Sequence, residues 1–266
     1  MDSEKPRRYR FADGDREILG WFIKLGYLTA DDLHYLVGRH KRQVWHRLQV
    51  LRFLGYLRYE RRHPKNEFVK VYFLTQKGCD KAHELGLAPK EIRAVEDKRF
   101  SNIPHDLLIS ELLISLIRLE REGTIRDLHY SRQFRELYHR WGEGQEDRVN
   151  PDCYFWFERE GKYPFFFVEI ERNDKERFDK LERYAAYPLK DFETKHGADN
   201  FFVLTLLPST EKALNLAKQL ANAKNYRLQT RKFWTGEFSQ IQRLTAKEFF
   251  TPKDEGVSLL DCVDAC

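Results

Sequence analysis

The sequence predicts an α+β/α/β fold in two domains, an N-terminal winged helix-turn-helix followed by a domain built around a mixed β-sheet. Basic side chains concentrate in the first third of the chain, where helical apolar spacing precedes two β-rich runs. Strand-like runs alternate with helices in the remainder. The predicted organisation is a winged helix over 1–86, a linker over 87–103, a mixed-sheet domain over 104–250 and a C-terminal tail over 251–266.

Composition excludes several classes of protein. The 266 residues are 41% hydrophobic and 14% aromatic, which excludes a disordered chain. Mean hydropathy is −0.69, and no apolar run approaches the roughly 20 residues of a membrane span. The N-terminal residues lack the apolar stretch of a secretory signal peptide. The 4 cysteines are too scattered for a disulfide framework, so we expect a reducing, cytoplasmic location.

Charge is distributed unevenly along the chain. Residues 1–100 carry 22 Lys and Arg against 14 Asp and Glu, a net charge of +8, whereas the remainder carries 25 against 28, a net charge of −3. Residues 39–77 alone hold 11 basic and 2 acidic side chains, a net charge of +9. Positive charge this dense favours an anionic partner, and the phosphate backbone of nucleic acid is the usual one. A solvated basic surface is the alternative.

Start and stop signals predict two helices before the basic segment. Asp13 caps the first helix, which carries apolar residues at helical spacing and ends at Gly26. Thr29 begins the second, because Asp32 three residues later completes a capping box, and Gly38 ends it.

A third helix is predicted from about Lys41 to Leu54, with Gly55 as its stop. Val44, Leu48 and Leu51 form its buried stripe. Arg and Gln can read base edges, and the polar residues opposite or beside that stripe are therefore candidate DNA contacts. They are Arg39, Lys41, Arg42, Gln43, His46, Arg47 and Gln49.

Two β-rich runs, 56–60 and 68–73, follow the third helix and are joined by a turn that contains Pro64 and Asn66. Thr75 then caps a fourth helix, 76–85. This order predicts a winged helix whose third helix enters the major groove of duplex DNA while the hairpin contacts the adjacent backbone. The candidate phosphate contacts of the hairpin are Arg61, Arg62 and Lys65. A winged helix used only for protein contacts is the alternative.

The second domain is predicted from alternating strands and helices. An apolar helix opens at His105 and Asp106 and stops at Gly123. The elements expected after it are strands over 125–130, 154–158 and 165–171, a long helix over 175–192, a strand over 201–207 and a helix over 211–224.

Three carboxylates stand at the ends of two of these strands. Asp152 precedes one strand, and Glu169 and Glu171 lie on one face at the end of the next. If the two strands pair as a hairpin, Asp152 approaches that face. Oxygen ligands of this kind bind Mg²⁺ or Mn²⁺, which activates water for attack on a phosphodiester. Spacing alone favours the alternative that these are exposed acids at strand ends.

These residues carry two resemblances. A Pro-Asp turn followed after sixteen residues by a strand ending in Glu-x-Glu resembles the PD-(D/E)XK nuclease superfamily. Over roughly residues 10–210, the chain resembles the replication-relaxation family of plasmid and mobile-element proteins. The motifs of that resemblance, in order, are Leu74-Thr75-Gln76-Lys77-Gly78, His105-Asp106, Pro151-Asp152, Phe166-Phe167-Val168-Glu169-Ile170-Glu171-Arg172, and Lys180 with Tyr184.

The resemblance implies a restriction-endonuclease-like second domain and a role in replication initiation or DNA relaxation. It makes Asp152, Glu169 and Glu171 candidate metal ligands and catalytic residues. Active nucleases of the superfamily usually carry Lys where this chain has Glu171, so the resemblance leaves open whether the domain cleaves DNA. Lys180 on the following helix is the candidate replacement for that ammonium, and a solvated surface lysine is the alternative.

Three hypotheses for function follow. The first is a protein that binds double-stranded DNA in replication or relaxation, with a nuclease-like domain that need not be active. The second is an active endonuclease or nickase that depends on Mg²⁺ or Mn²⁺. The third is a transcriptional regulator whose second domain dimerises or binds a partner. We expect duplex DNA as the main partner, a relaxase or replication protein or a second copy of the chain as further candidates, and no membrane.

Overall fold

A computed structural model describes residues 10–61, 68–89, 103–132, 137–144, 147–171, 177–230 and 232–265. The chain divides into two compact units, Met1–Ser110 and Glu111–Cys266. Most of the predicted linker, residues 90–102, lies outside the described residues. None of the helices that are described combines the length and the apolar character that crossing a bilayer requires.

Unit 1 begins with helices and a short antiparallel sheet. Its sheet has the strand order β1-β3-β2, in which Tyr59 lies opposite Tyr72. The elements in chain order are α1 (Asp13–Leu25), β1 (Leu28–Thr29), α2 (Ala30–Val37), α3 (Lys41–Phe53), β2 (Leu57–Glu60), β3 (Val71–Leu74), α4 (Gln76–Glu84) and the start of α5 (Ile103–Arg121).

The helix boundaries follow from local hydrogen bonds. The predicted capping box of α2 is confirmed, because the Thr29 amide donates to the Asp32 carboxylate at 2.7 Å and the Asp32 amide donates to Thr29 Oγ1 at 3.1 Å. The predicted cap of α1 is wrong by one residue. Ala12 occupies the cap position, since its amide donates to the Asp15 carboxylate at 2.8 Å, and Asp13 is the first helical residue.

Thr75, which follows the hairpin, connects the start of α4 with the end of α3 through two hydrogen bonds. Thr75 Oγ1 accepts a hydrogen bond from the Gly78 amide at 3.1 Å and donates to the Gly55 carbonyl at 2.6 Å. A Cβ at Gly78 would lie 2.2 Å from the carbonyl oxygen of Tyr56, so only glycine allows this approach. The contact fixes the start of the hairpin relative to α3.

Unit 2 is built around a seven-stranded sheet with the order β12-β11-β10-β9-β8-β7-β4. The pairs β8–β9 and β9–β10 are parallel and the other pairs are antiparallel. The described elements after α5 are β4 (Arg126–Ser131), β5 (His139–Arg140), β6 (Arg148–Val149), β7 (Cys153–Glu158), β8 (Phe165–Ile170), α6 (Arg177–Ala186), α7 (Leu189–His196), β9 (Phe202–Leu207), α8 (Thr210–Ala221), β10 (Phe233–Glu237), β11 (Phe249–Phe250) and β12 (Glu255–Val257).

This architecture confirms the predicted mixture of helices with a large mixed sheet. One prediction is wrong: the single helix over 175–192 is two helices, α6 and α7, separated at Tyr187 and Pro188. Proline lacks the amide proton that a continuous helix needs and restricts the residue before it.

The C-terminal segment also differs from the prediction of a tail. It contains β12, which pairs with β11, and a 3₁₀ helix over Leu259–Ala265. Leu259 and Cys262 are fully buried. Burial of these apolar side chains stabilises the folded position of the segment.

Aromatic side chains fill the interior of unit 2 around β7 and β8. Phe155 stacks on Phe166 across the two strands, with ring centres 4.9 Å apart. On the other face Phe167 contacts Phe201 edge to face at 5.1 Å. Rigid packing of this kind holds the ends of β7 and β8 in one register.

Candidate functional site

The exposed face of α3 carries part of the predicted DNA-binding set. Arg42, Gln43 and His46 are exposed on its first two turns. Trp45 lies among them with 51% of its surface exposed. These side chains project from the part of α3 that the winged-helix prediction directs at base edges.

Arg47 points the other way, towards α1. Its guanidinium binds the carboxylate of Asp15, with one contact from Nε at 2.8 Å, and it also donates to the Arg10 carbonyl at 3.0 Å. The Asp15 side chain is completely buried. The hydrogen bond and the charge of Asp15 raise the pKa of Arg47, although burial acts against them. Arg47 therefore neutralises a buried acid in this arrangement.

Two other predicted contacts form ion pairs near the surface. Arg39 binds Glu17 of α1 at 2.9 Å, and Lys41 binds Asp31 of α2 at 2.5 Å. Exposed pairs of this kind contribute at most about 1 kcal/mol. Both cations can therefore exchange a carboxylate for another anion at small cost.

Gln49 connects α3, to which it belongs, with the hairpin. Its side-chain amide donates to the Tyr72 hydroxyl at 3.2 Å. Burial raises the pKa of Tyr72, while the bond from Gln49 and the positive charge of Arg52 act to lower it. In the hairpin, Arg61 is exposed. The other two predicted contacts there, Arg62 and Lys65, lie outside the described residues.

In unit 2, the predicted pairing of β7 and β8 brings Asp152 beside Glu169. Cys153 lies opposite Val168, the Asp152 amide donates to the Val168 carbonyl at 2.9 Å, and the Ile170 amide donates to the Asp152 carboxylate at 2.7 Å. Backbone hydrogen bonds on both sides thus fix the position of Asp152.

Glu169 is the centre of this group, which we call the Glu169 cluster: Asp152, Glu169, Glu171, Lys180 and Tyr184. The Glu169 side chain is 1% exposed. Lys180 Nζ binds one of its oxygens, and the Tyr184 hydroxyl donates to the other at 2.5 Å. Lys180 Nζ also lies 3.7 Å from a Glu171 oxygen. The structure therefore brings all four predicted site residues of unit 2 together.

Tyr184 belongs to the motif of the family resemblance but is not among the predicted site residues. Its spacing from Lys180 agrees with a shared role, because residues four apart on α6 lie on the same helix face. Burial raises the pKa of Tyr184 first, and the neighbouring Glu169 raises it further. The hydroxyl therefore stays protonated and acts as a hydrogen-bond donor to the carboxylate.

The charge state of Glu169 is set by opposing influences. Burial raises its pKa to about 8, and the charge of Asp152 adds to this, while Lys180 and Tyr184 act to lower it. Burial acts to lower the pKa of Lys180, but the attraction of Glu169, Asp152 and Glu171 outweighs it and raises that pKa. Lys180 thus remains a cation, and an ammonium held here can stabilise negative charge on a nearby phosphate group.

The donors of the cluster match Mg²⁺ or Mn²⁺ in chemical type, since all three carboxylates offer hard oxygen ligands. Their arrangement differs from an assembled metal site, because both Glu169 oxygens already accept bonds from Lys180 and Tyr184. Across the part of the chain that is described, no three His, Cys, Asp or Glu side chains are grouped to hold a metal ion. Metal binding at these residues stays a prediction.

The raised pKa of Glu169 predicts a pH-dependent stability. A carboxyl whose pKa rises from its ordinary 4.5 to about 8 on folding contributes stability that is complete below pH 4.5 and is lost as pH rises through 8. We expect the melting temperature to fall between pH 5 and 9, and to fall less for Glu169→Gln, which does not titrate. Circular dichroism melts measure this, with the exposed Glu193→Gln as control. Equal slopes for the wild type and Glu169→Gln would contradict the assignment.

A comparison with protein families supports the resemblance drawn from the motifs. The family model described as Replication-relaxation matches residues 19–203. The matched region includes α3, the hairpin and the whole Glu169 cluster. Searches of curated proteins and of solved structures found no match. The family match spans more than half of the chain, and the protein therefore belongs to the replication-relaxation family.

Proposed function

We propose that this protein binds duplex DNA through α3 and the β2–β3 hairpin, and that it acts in the replication or relaxation of plasmid or mobile-element DNA. Family membership supports the biological setting. The order of helices and strands in unit 1 supports a winged helix, since three helices precede a hairpin and α4 follows it. A relaxase or a replication protein is the further partner that we propose, with a second copy of the chain as the alternative.

The main support for this proposal is the contrast in unit 1 between cations that pair with a carboxylate and cations that do not. Arg39, Lys41 and Arg47 each pair with a carboxylate of α1 or α2. Within the described part of unit 1, no carboxylate forms an ion pair with the exposed Arg42 of α3 or with the exposed Arg61 at the end of β2. Their charge faces solvent, as DNA binding requires.

The polar residues beside Arg42 favour duplex DNA over a featureless polyanion. Gln43 and His46 are exposed on the same two turns. Side chains at the start of a recognition helix contact base edges in the major groove, whereas cations of the flanking hairpin contact phosphates. We therefore assign base contacts to Arg42, Gln43 and His46, and a phosphate contact to Arg61.

The first test is DNA binding by the full chain. Fluorescence anisotropy with a labelled duplex should show an affinity that falls steeply between low and physiological salt, because phosphate contacts release counterions. A cognate sequence is first selected from a random duplex library. Arg42→Ala should then weaken binding to that sequence about tenfold or more and relax its preference over random duplex.

The control for this test is Lys218→Ala, which removes one exposed positive charge from α8 of unit 2. It should leave both affinity and preference unchanged. Binding that is insensitive to salt, or equal losses for Arg42→Ala and Lys218→Ala, would refute the assigned interface.

DNA cleavage by the Glu169 cluster is a second candidate function, and the position of Lys180 favours it. Lys180 reaches Glu169 and Glu171, although it comes from α6 and not from the strand. Lys180 would thereby supply the ammonium that active nucleases usually carry on the strand, where this chain has Glu171. A bound Mg²⁺ or Mn²⁺ would polarise the phosphodiester and lower the pKa of an attacking water. The carboxylates of Asp152, Glu169 and Glu171 would hold the ion, in competition with Lys180 for Glu169.

Calorimetry and plasmid nicking test this candidate together. We expect wild-type protein to bind Mn²⁺ and to nick supercoiled plasmid, and Asp152→Ala to lose both. Lys180→Ala should bind Mn²⁺ more tightly, because the competing cation is gone, yet nick less. Lys190→Ala, which removes an exposed lysine from α7, is the matched control. Identical Mn²⁺ titrations for the wild type and Asp152→Ala, without nicking by either, would contradict the cleavage candidate and give the cluster a structural role only.

A further inference from the structure

Two cations contact the same aromatic ring at the junction of α3 and the hairpin. The Arg52 guanidinium, from the last turn of α3, lies 5.2 Å from the centre of the Tyr59 ring of β2. Lys70 Nζ, next to the start of β3, lies 4.7 Å from the same centre. Sequence reasoning assigns no function to these three residues. Their side chains come from separate elements and meet only in the folded unit.

The two charges are held in place without being neutralised. An aromatic ring attracts a cation through its quadrupole and carries no net charge, so the cation keeps its full charge towards solvent. In the described part of unit 1, neither Arg52 nor Lys70 forms an ion pair with a carboxylate. Lys41 and Arg47 on the same helix differ in this respect, since a carboxylate neutralises each of them.

The ring that holds these cations is itself fixed to α3. Tyr59 packs against Tyr72 on the neighbouring strand, with ring centres 5.8 Å apart. The Tyr72 hydroxyl accepts the hydrogen bond from Gln49 of α3 at 3.2 Å. Arg52 and Lys70 are therefore presented by a connected set of contacts and not by two independent flexible side chains, which reduces the entropy lost on binding.

Two like charges close to one ring repel each other, and an anion that contacts both relieves that repulsion. The pair lies where α3 meets the hairpin, and a DNA strand passing from the recognition helix to the hairpin crosses this junction in the proposed binding mode. We propose that Arg52 and Lys70 clamp one backbone phosphate of duplex DNA and that Tyr59 positions both cations. This inference rests on the proposed function and adds a phosphate site to it.

The test uses the full chain, fluorescence anisotropy and a salt titration. Arg52→Ala and Lys70→Ala should each weaken binding to cognate and random duplexes alike, and the two substitutions together should lower the salt slope by about one, because the pair shares one phosphate. Tyr59→Leu should weaken binding although no charge is lost, whereas Tyr59→Phe, which keeps the ring, should bind as the wild type does. Lys24→Ala is the matched control, because Lys24 lies 5.2 Å from the Trp21 ring of α1 in a similar contact.

Neutral methylphosphonate groups, placed singly along the duplex, identify the phosphate. One position should weaken binding of the wild type and have a clearly smaller effect on Arg52→Ala, which keeps only Lys70 at that phosphate. If the wild type binds DNA with a steep salt dependence but Arg52→Ala and Lys70→Ala behave like Lys24→Ala, the clamp is wrong and the proposed function stands. If the wild type does not bind DNA at all, both are wrong.

Discussion

The buried carboxylate of Asp15 is the constraint on which unit 1 depends. A charge removed from water needs a partner, and Arg47 of α3 supplies it. Leaving such a charge unpaired costs about 3–5 kcal/mol, which is a large part of the stability of a small domain. The pair therefore fixes the rotation of α3 about its axis. Because Arg47 turns inward, Arg42 and His46 face solvent.

In unit 2, too, a buried carboxyl group requires partners from another element. Aromatic side chains exclude water from the ends of β7 and β8, and Glu169 is buried there. Lys180 and Tyr184 of α6 satisfy its two oxygens. The helix after β8 is thus tied to the strand by a carboxyl group whose pKa burial raises to about 8. A buried acid with a strongly raised pKa beside a retained cation is the kind of group that occurs at functional sites.

Local signals in the sequence predict local structure well, and long-range pairing poorly. The capping pair Thr29 and Asp32 gives the start of α2, because its hydrogen bonds span only three residues. Helical periodicity places Arg47 beside the polar face, but its partner lies 32 residues away. Periodicity contains no information on such a partner. The proximity of Asp152 and Glu169 is predictable, because strand alternation and the Pro-Asp turn indicate two neighbouring antiparallel strands whose pairing places these residues side by side.

The proposed interface is tested most directly by measuring which arginine side chains change their NMR chemical shifts when DNA is added. The Nε–Hε resonances of arginine side chains in ¹H–¹⁵N spectra of the full chain report each guanidinium separately, and substitutions assign them. With duplex DNA added, the resonances of Arg42 and Arg52 should shift while that of Arg47, held by Asp15, stays in place. A shift of Arg47 without one of Arg42, or no response from any arginine of unit 1, would contradict the interface proposed for this member of the replication-relaxation family.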